Sequence, residues 1–333
     1  MSRTPRDRSG LAPGERVARF VGLRKGSGRS AKVPAKANLL HEYIDPLLLA
    51  SLDDLELIAR TVVEGFLHGL HRSPYVGFSV EFASHREYLP GDDLRHLNWK
   101  LFARNDRLYV KQYDAETNLD CHLVVDMSCS METSTAGVSK LRYATMLAAA
   151  VAHLALGQRD AVGVTLFADR VLAHLKPRAK ANQLDEILAT LVHCRGETPA
   201  ASASVLHEVA ELMPRRGLII LISDLFFETD EVFSGLDHLL FHGHDLAVFQ
   251  ILDPIEHHLS LEGQVRFRDL ETGEELTTQV DEIRGPYTAA IASWLAELDA
   301  GCRGREIDRV TMTTDQPLER ALHEYLTRRS QLY

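Results

Sequence analysis

The stretch "HLVVDMSCSMET", residues 122–133, decides the fold. With Cys121 before it, the apolar run has the length of a buried strand, and it ends in Asp126. Ser128 and Ser130 follow, spaced by two. A carboxylate and two hydroxyls at a strand end admit three readings. They can be a metal site, a catalytic nucleophile, or a polar loop that caps the next helix.

Downstream, strand and helix alternate. "KLRYATMLAAAVAHLALG" predicts a long helix with Gly157 as its C′ residue. "AVGVTLFADRVLAHLK" reads as a hairpin turning at residues 168–170. Two amphipathic helices follow, "NQLDEILATLVHC" and "SASVLHEVAELMP", then the buried strand "GLIILISD" from Gly217. A helix ("DEVFSGLDHLLFHG"), a strand ("HDLAVFQILD") and a β-prone polar excursion near 262–281 come next. A helix from Pro286, a strand ("DRVTMTT") and a last helix ("QPLERALHEYLTRR") close the chain.

This alternation implies a doubly wound, mostly parallel α/β sheet covered on both faces, with the hairpin adding one antiparallel edge strand. In the strand order 3-2-1-4-5-6, ligands bind where the order reverses, outside the carboxyl ends of strands 1 and 4. Strand 1 ends in "VVDMSCS" and strand 4 in "LISD". Asp126 and Asp224 are therefore expected to face each other across that switch point. Thr198, in the Gly-containing loop "RGETPA", completes the set Asp126, Ser128, Ser130, Thr198 and Asp224. Alternate residues of an extended loop point the same way, so Ser128 and Ser130 can offer two hydroxyls to one point. An all-oxygen set with two carboxylates suits a hard cation, Mg2+ or Mn2+. With the hydroxyls bound directly and the carboxylates through water, the metal's charge is poorly neutralised. It would then take an anionic sixth ligand, such as a partner's Asp or Glu.

Taken together, "DMSCSM", "GETP" and "SD" resemble the metal-ion-dependent adhesion site (DxSxS, Thr, Asp) of von Willebrand factor type A domains. The resemblance implies Mg2+ held by the five residues named and completed by a partner carboxylate. Upstream, "EFASHREYLPGDDLRHLNWKLFARNDRLYVKQYDAE" (residues 81–116) resembles the signature of domain-of-unknown-function family 58. These are bacterial proteins with a type A domain, commonly encoded beside MoxR-type AAA+ ATPases. Glu81, Phe82, Arg86, Tyr88, Pro90, Gly91, Asp92, Arg95, Trp99, Ala103 and Arg104 match its pattern. Asn98 stands where the family usually has Asp. Many relatives begin with two transmembrane helices; here a basic arm and one helix precede the signature. The resemblance implies a non-catalytic adaptor for a MoxR-type ATPase, in chaperone-like maturation or assembly. Glu81, Arg86, Tyr88, Asp92, Arg95, Trp99 and Arg104 are candidate partner-binding residues, although the same charges would also make structural ion pairs.

The remaining features bound these readings. The 333 residues, 45% hydrophobic and 25% charged, suit one large domain plus an accessory region. The expected division is a disordered basic arm (1–38), a helix and β-rich signature region (39–118) and the type A-like domain (119–333). Residues 1–36 hold ten Lys/Arg and two Asp/Glu, a net +8; the remainder, 27 against 45, is net −18. The arm reads as a solvated tail or a contact for an acidic surface, with nucleic acid or anionic lipid as the alternative contact; the acidic body argues against nucleic acid as the main ligand. The first helix is read over 44–71, with Ser51 as its N-cap. No apolar run approaches the roughly 20 residues of a membrane span, and the start lacks a signal peptide's apolar core. Cys121, Cys129, Cys194 and Cys302 are scattered and read as reduced thiols of a cytoplasmic protein, Cys129 as a packed residue.

The rival functions lack their motifs. No Walker A sequence is present, so the chain is not itself the ATPase. A haloacid-dehalogenase-type phosphotransferase needs an acid where Ser128 stands, and no G-x-S-x-G elbow occurs. The histidines at 242, 244, 257 and 258 lack a completing zinc set.

Overall fold

The computed structural model describes residues 45–70, 85–87, 109–111, 120–193, 204–268, 275–320 and 322–323. The chain divides into two compact units, one of Met1–Gly69 with Leu119–Tyr333, the other of Leu70–Asn118. In the smaller unit, β1 (His85–Glu87) and β2 (Tyr109–Lys111) pair antiparallel.

The larger unit opens with α1 (Pro46–Ala50) and α2 (Leu55–Leu70). There follow β3 (Asp120–Asp126), α3 (Lys140–Gly157), β4 (Ala161–Phe167), β5 (Val171–Arg178), α4 (Gln183–His193) and α5 (Val205–Glu211). Next come β6 (Leu218–Ser223), α6 (Thr229–Phe241), β7 (Asp245–Leu252) and α7 (Pro254–His258). Then β8 (Gln264–Arg268), β9 (Glu275–Gln279), α8 (Val280–Arg303) and β10 (Asp308–Thr313) complete it. Six strands form one sheet in the order β10-β7-β6-β3-β4-β5, parallel throughout except for the β4–β5 pair. This is the expected mixed α/β, mostly parallel arrangement, consistent with a Rossmann-like or von Willebrand factor A-like fold, and its order reverses between β3 and β6. The β-prone excursion is the separate antiparallel hairpin β8–β9.

Each strand's position follows from its composition. β3, β6 and β7 are runs of Val, Leu and Ile buried almost end to end, as strands covered on both faces must be. On one face Val124, Ile219, Leu221 and Val248 pack with α5, α6 and α8 through Leu206, Val209, Val232, Leu236 and Leu298. Against β3, β4, β6 and β7 also lies α3, whose Ala148, Ala149, Ala150 and Ala152 are wholly buried; such small side chains let a helix sit close to a sheet. β5 is half-exposed and carries Pro177, which has no N–H for a further neighbour and so suits an edge. Opposite it the register shifts between Val162 and Val164; a Cβ on Gly163 would meet the Leu175 carbonyl oxygen at 2.5 Å. A second close approach lies at Gly217, where a Cβ would come within 2.2 Å of the Asp120 carbonyl oxygen, so β6 can draw up against β3.

Three boundaries differ from the sequence reading. The first helical segment is broken: the Ser51 hydroxyl donates back to the Leu48 carbonyl and closes α1, while Asp54 caps α2 by accepting from the Glu56 and Leu57 amides. A carboxylate one position before the first helical residue reaches those amides, whereas Ser51 lies too far upstream. α3 ends one turn feature later than expected. Gly157 is still helical and Arg159 (φ 68°) takes the left-handed position, with Asp160 N–H to the Ala155 carbonyl and Arg159 N–H to that of Leu156. α8 starts at Val280, not Pro286; the proline stands inside the helix, and buried Val280 with Asp281 and Glu282 makes the first turn. The closing helix is met by helical residues 318–320 and 322–323; the rest of that segment lies outside the described residues.

His122, in the middle of the sheet on β3, is 5% exposed, and its Nε2 has no hydrogen-bond partner among the described residues. Burial, then the neighbouring His244 and His174, lowers it to about 4. The folded protein therefore holds it neutral while the unfolded chain takes a proton below about 6.5. Stability is lost as pH falls through that window, on the order of 3 kcal/mol in full. Urea midpoints measured from pH 7 to 4 should fall less steeply for His122→Leu than for the wild type; parallel curves would refute the assignment.

Candidate functional site

The reversal of strand order brings the ends of β3 and β6 side by side, Val125 opposite Ile222. Wholly buried Asp126 is clamped at both oxygens: Oδ1 accepts from the Ser128 amide (2.9 Å) and Oδ2 from the Ser223 hydroxyl (2.6 Å). Burial, and then the nearby Asp224 carboxylate, nevertheless pushes it up to about 7. Two buried carboxylates at one point repel, and a cation between them relieves that repulsion.

Ser128 Oγ and Ser130 Oγ lie 3.0 Å apart, so the two hydroxyls do reach one place. They reach it differently from the extended-loop expectation, because Cys129–Glu132 wind into a 3-10 turn. The capping alternative fails here: the Ser128 side chain makes no cap bond, and α3 is capped by Ser139, whose hydroxyl accepts from the Arg142 amide at 3.1 Å. Cys129 is partly buried.

Asp224 is 1% exposed; its Oδ1 accepts from the Phe226 amide (3.1 Å) and its Oδ2 from Lys140 Nζ (2.8 Å). It does not cap α6, which starts beyond Glu228. Between them, Leu225 adopts φ 58°, a left-handed conformation costly for a bulky residue. Its amide donates to Ser223 Oγ at 3.0 Å and its side chain is wholly buried, which holds the turn. Lys140 also donates to Glu256 Oε1 (2.7 Å) and lies over the Phe226 ring, 4.7 Å from its centre. Phe226 in turn stacks on Trp294 at 5.1 Å. Burial lowers the Lys140 ammonium's proton affinity, but Asp224 and Glu256 outweigh it and hold the nitrogen charged. Burial pushes Glu256 up to about 7 against the pull of Lys140.

Of the five expected ligands, the structure brings together Asp126, Ser128, Ser130 and Asp224. Thr198 lies outside the described residues, as do Glu81, Tyr88, Asp92, Arg95, Asn98, Trp99, Arg104 and the basic arm. Arg86 is placed as a backbone position in β1, opposite Val110. The described donors are all oxygens, two of them neutral hydroxyls, which fits a hard cation. No group of three or more His, Cys, Asp and Glu gathers to hold a metal among the described residues, so a cation here would depend on the serines. The histidines are engaged elsewhere: His244 accepts from the Gly217 amide and bonds the Met213 carbonyl, and His257 bonds His258.

A family profile described as Protein of unknown function DUF58 matches residues 84–295. The chain belongs to that family. The chain is also similar to uncharacterized proteins of Mycobacterium tuberculosis and Mycobacterium bovis, each 29% identical over 280 residues, 82% of this chain and 86% of the relative. Among solved structures, the chain is similar to conserved hypothetical protein BatB from Bacteroides thetaiotaomicron (16% identity, TM-score 0.43, 64% of this chain and 99% of that one). It is also similar to an aerotolerance-related membrane protein from Bacteroides fragilis (16%, TM-score 0.40, 63% and 99%). No helix among the described residues of this DUF58 chain is long and apolar enough to cross a membrane.

Sequence reasoning missed Ser223, Lys140 and Glu256. Each left a signal: a hydroxyl directly before Asp224, a lysine in a first helical turn where acids belong, and the capping-box spacing of Asp253 and Glu256. Ser223→Ala would leave one oxygen of buried Asp126 without its donor. It should cost about 1–3 kcal/mol in chemical denaturation with the far-UV spectrum unchanged; an unaltered midpoint would contradict the role given to this hydroxyl.

Proposed function

We propose that this DUF58 protein is a metal-dependent protein-interaction module without catalysis of its own. It works in the cytoplasm as an adaptor or partner of a MoxR-type AAA+ ATPase, in chaperone-like maturation or assembly. The observation that carries the reading is the meeting of the Ser128 and Ser130 hydroxyls, 3.0 Å apart, beside Asp126 and Asp224 at the reversal of strand order. Asp126, Ser128, Ser130, Asp224 and Thr198 would hold Mg2+ or Mn2+, which supplies an electrophilic point for a carboxylate from another protein. Both Asp126 oxygens already accept hydrogen bonds from the chain, and so do both of Asp224. If the carboxylates acted through water, the neutral hydroxyls would be the direct ligands. Such a site leaves a divalent ion short of negative charge, and an Asp or Glu of a partner or client makes up the deficit.

The test is capture by the tagged full-length chain from lysate of the organism that makes it, in Mg2+ and in EDTA. An AAA+ ATPase should be recovered in Mg2+ and lost in EDTA. Asp126→Ala should lose it in both, with the far-UV circular dichroism spectrum of the folded protein retained. Equal recovery with EDTA would overturn the metal mechanism; Mg2+-dependent capture without an AAA+ ATPase would overturn the partner.

A further inference from the structure

The least expected group at this site is an ammonium. Lys140 Nζ is wholly buried, yet it sits one hydrogen bond from Asp224, whose carboxylate the reading above assigns to the metal. Two of its three N–H bonds go to Asp224 and Glu256, and its remaining side faces the Phe226 ring. Lys140 is the first residue of α3, where the helix places its own positive end, so neither the helix nor solvent favours a cation there. The two carboxylates account for it.

Such a cation does not replace the metal. No hydrogen bond joins it to Ser128 or Ser130; those hydroxyls face each other, and Asp126 is held by Ser128 and Ser223. The cluster thus holds three carboxylates (Asp126, Asp224 and Glu256) against one fixed ammonium. Lys140, Asp224 and Glu256 form a tight internal triad; Asp126 with the two hydroxyls is the part left for an added ion. A divalent ion entering beside Asp224 meets a carboxylate whose charge Lys140 already offsets, and it meets Lys140's own charge through that carboxylate.

We propose that Lys140 is a built-in counter-cation that shares Asp224 with the bound metal and keeps the site's own hold on the ion weak. It is a positioning residue that acts through Asp224. Its charge makes binding of the metal depend on the carboxylate that a partner brings. The proposal rests on the metal-dependent reading above and assigns that site its regulation.

The test is direct binding of Mn2+ to the full-length protein at pH 8, read by electron paramagnetic resonance of the free ion, with no partner present. Lys140→Met should bind Mn2+ roughly tenfold or more tighter than wild type, as loss of a unit charge at this range implies. Leaving Asp224 and Glu256 unpaired can unfold the single variant. Lys140→Met/Glu256→Gln removes one charge of each sign, and because Lys140 bonds Asp224 directly whereas Glu256 bonds Lys140, it should also bind more tightly than wild type. Asp126→Ala in either background should abolish the gain. Affinity equal to or weaker than wild type in the folded variants overturns the role of Lys140 while leaving the metal site standing. Absence of Mn2+ binding in all three proteins at millimolar concentration overturns both.

Discussion

The Ser223 hydroxyl reaches Asp126 across 97 residues of sequence, at 2.6 Å, and the site depends on that contact. It forms because β6 pairs with the free edge of β3 instead of continuing beyond β5. β5 is a poor platform for another strand: it runs antiparallel to β4, carries Pro177, and pairs through a register irregularity. The next strand is laid on the other side of β3, and the segments leaving β3 and β6 part company at their carboxyl ends. The crevice is thus a consequence of where the sheet stops growing. Gly217 lets β6 approach at its beginning, and Ser223 fastens it at its end.

Stability alone does not account for what fills that crevice. A core of this size gains from Val, Leu and Ile, and an apolar set in place of a buried ion cluster is often neutral or stabilising. Here Asp126, Asp224, Glu256 and Lys140 are all nearly or wholly inaccessible and gather within one cluster. Leu225, left-handed at φ 58°, adds backbone strain at the same point. A buried charge cluster and a left-handed leucine thus coincide at one strand end, which is where a function would put them.

The fold was legible because periodicity reports it directly. Largely apolar runs marked β3, β6 and β7, and the turn at residues 168–170 marked the antiparallel pair. Asp126, Ser128, Ser130 and Asp224 were legible because strand ends in a doubly wound sheet place them. The boundaries were less so: Asp54 against Ser51 as a cap, or Arg159 against Gly157 as the left-handed residue, differ by one turn of chain, and propensity is blunt at that scale. Lys140 and Glu256 escaped for another reason. Each is an ordinary residue in its own segment, a lysine opening a helix and the last member of a capping box. Their meeting depends on how α3 and α7 both converge on the end of β6, which no local pattern records.

That convergence fixes the orientation of Asp224. Glu256 uses one oxygen to accept the Asp253 amide and so completes the cap of α7; its other oxygen takes Lys140. It cannot turn away from either without uncapping a helix whose Asp253 also receives the Thr135 amide at 2.7 Å. Glu256 therefore holds the nitrogen of Lys140 in place, and Lys140 holds Oδ2 of Asp224. The Phe226 amide holds Oδ1, in a turn that Leu225 and Ser223 maintain. Every rotation open to Asp224 breaks a buried hydrogen bond to a charged group, at about 1.5–3 kcal/mol each. The carboxylate is thereby aimed before anything binds to it, and part of that aim is set by a helix cap that follows the neighbouring strand.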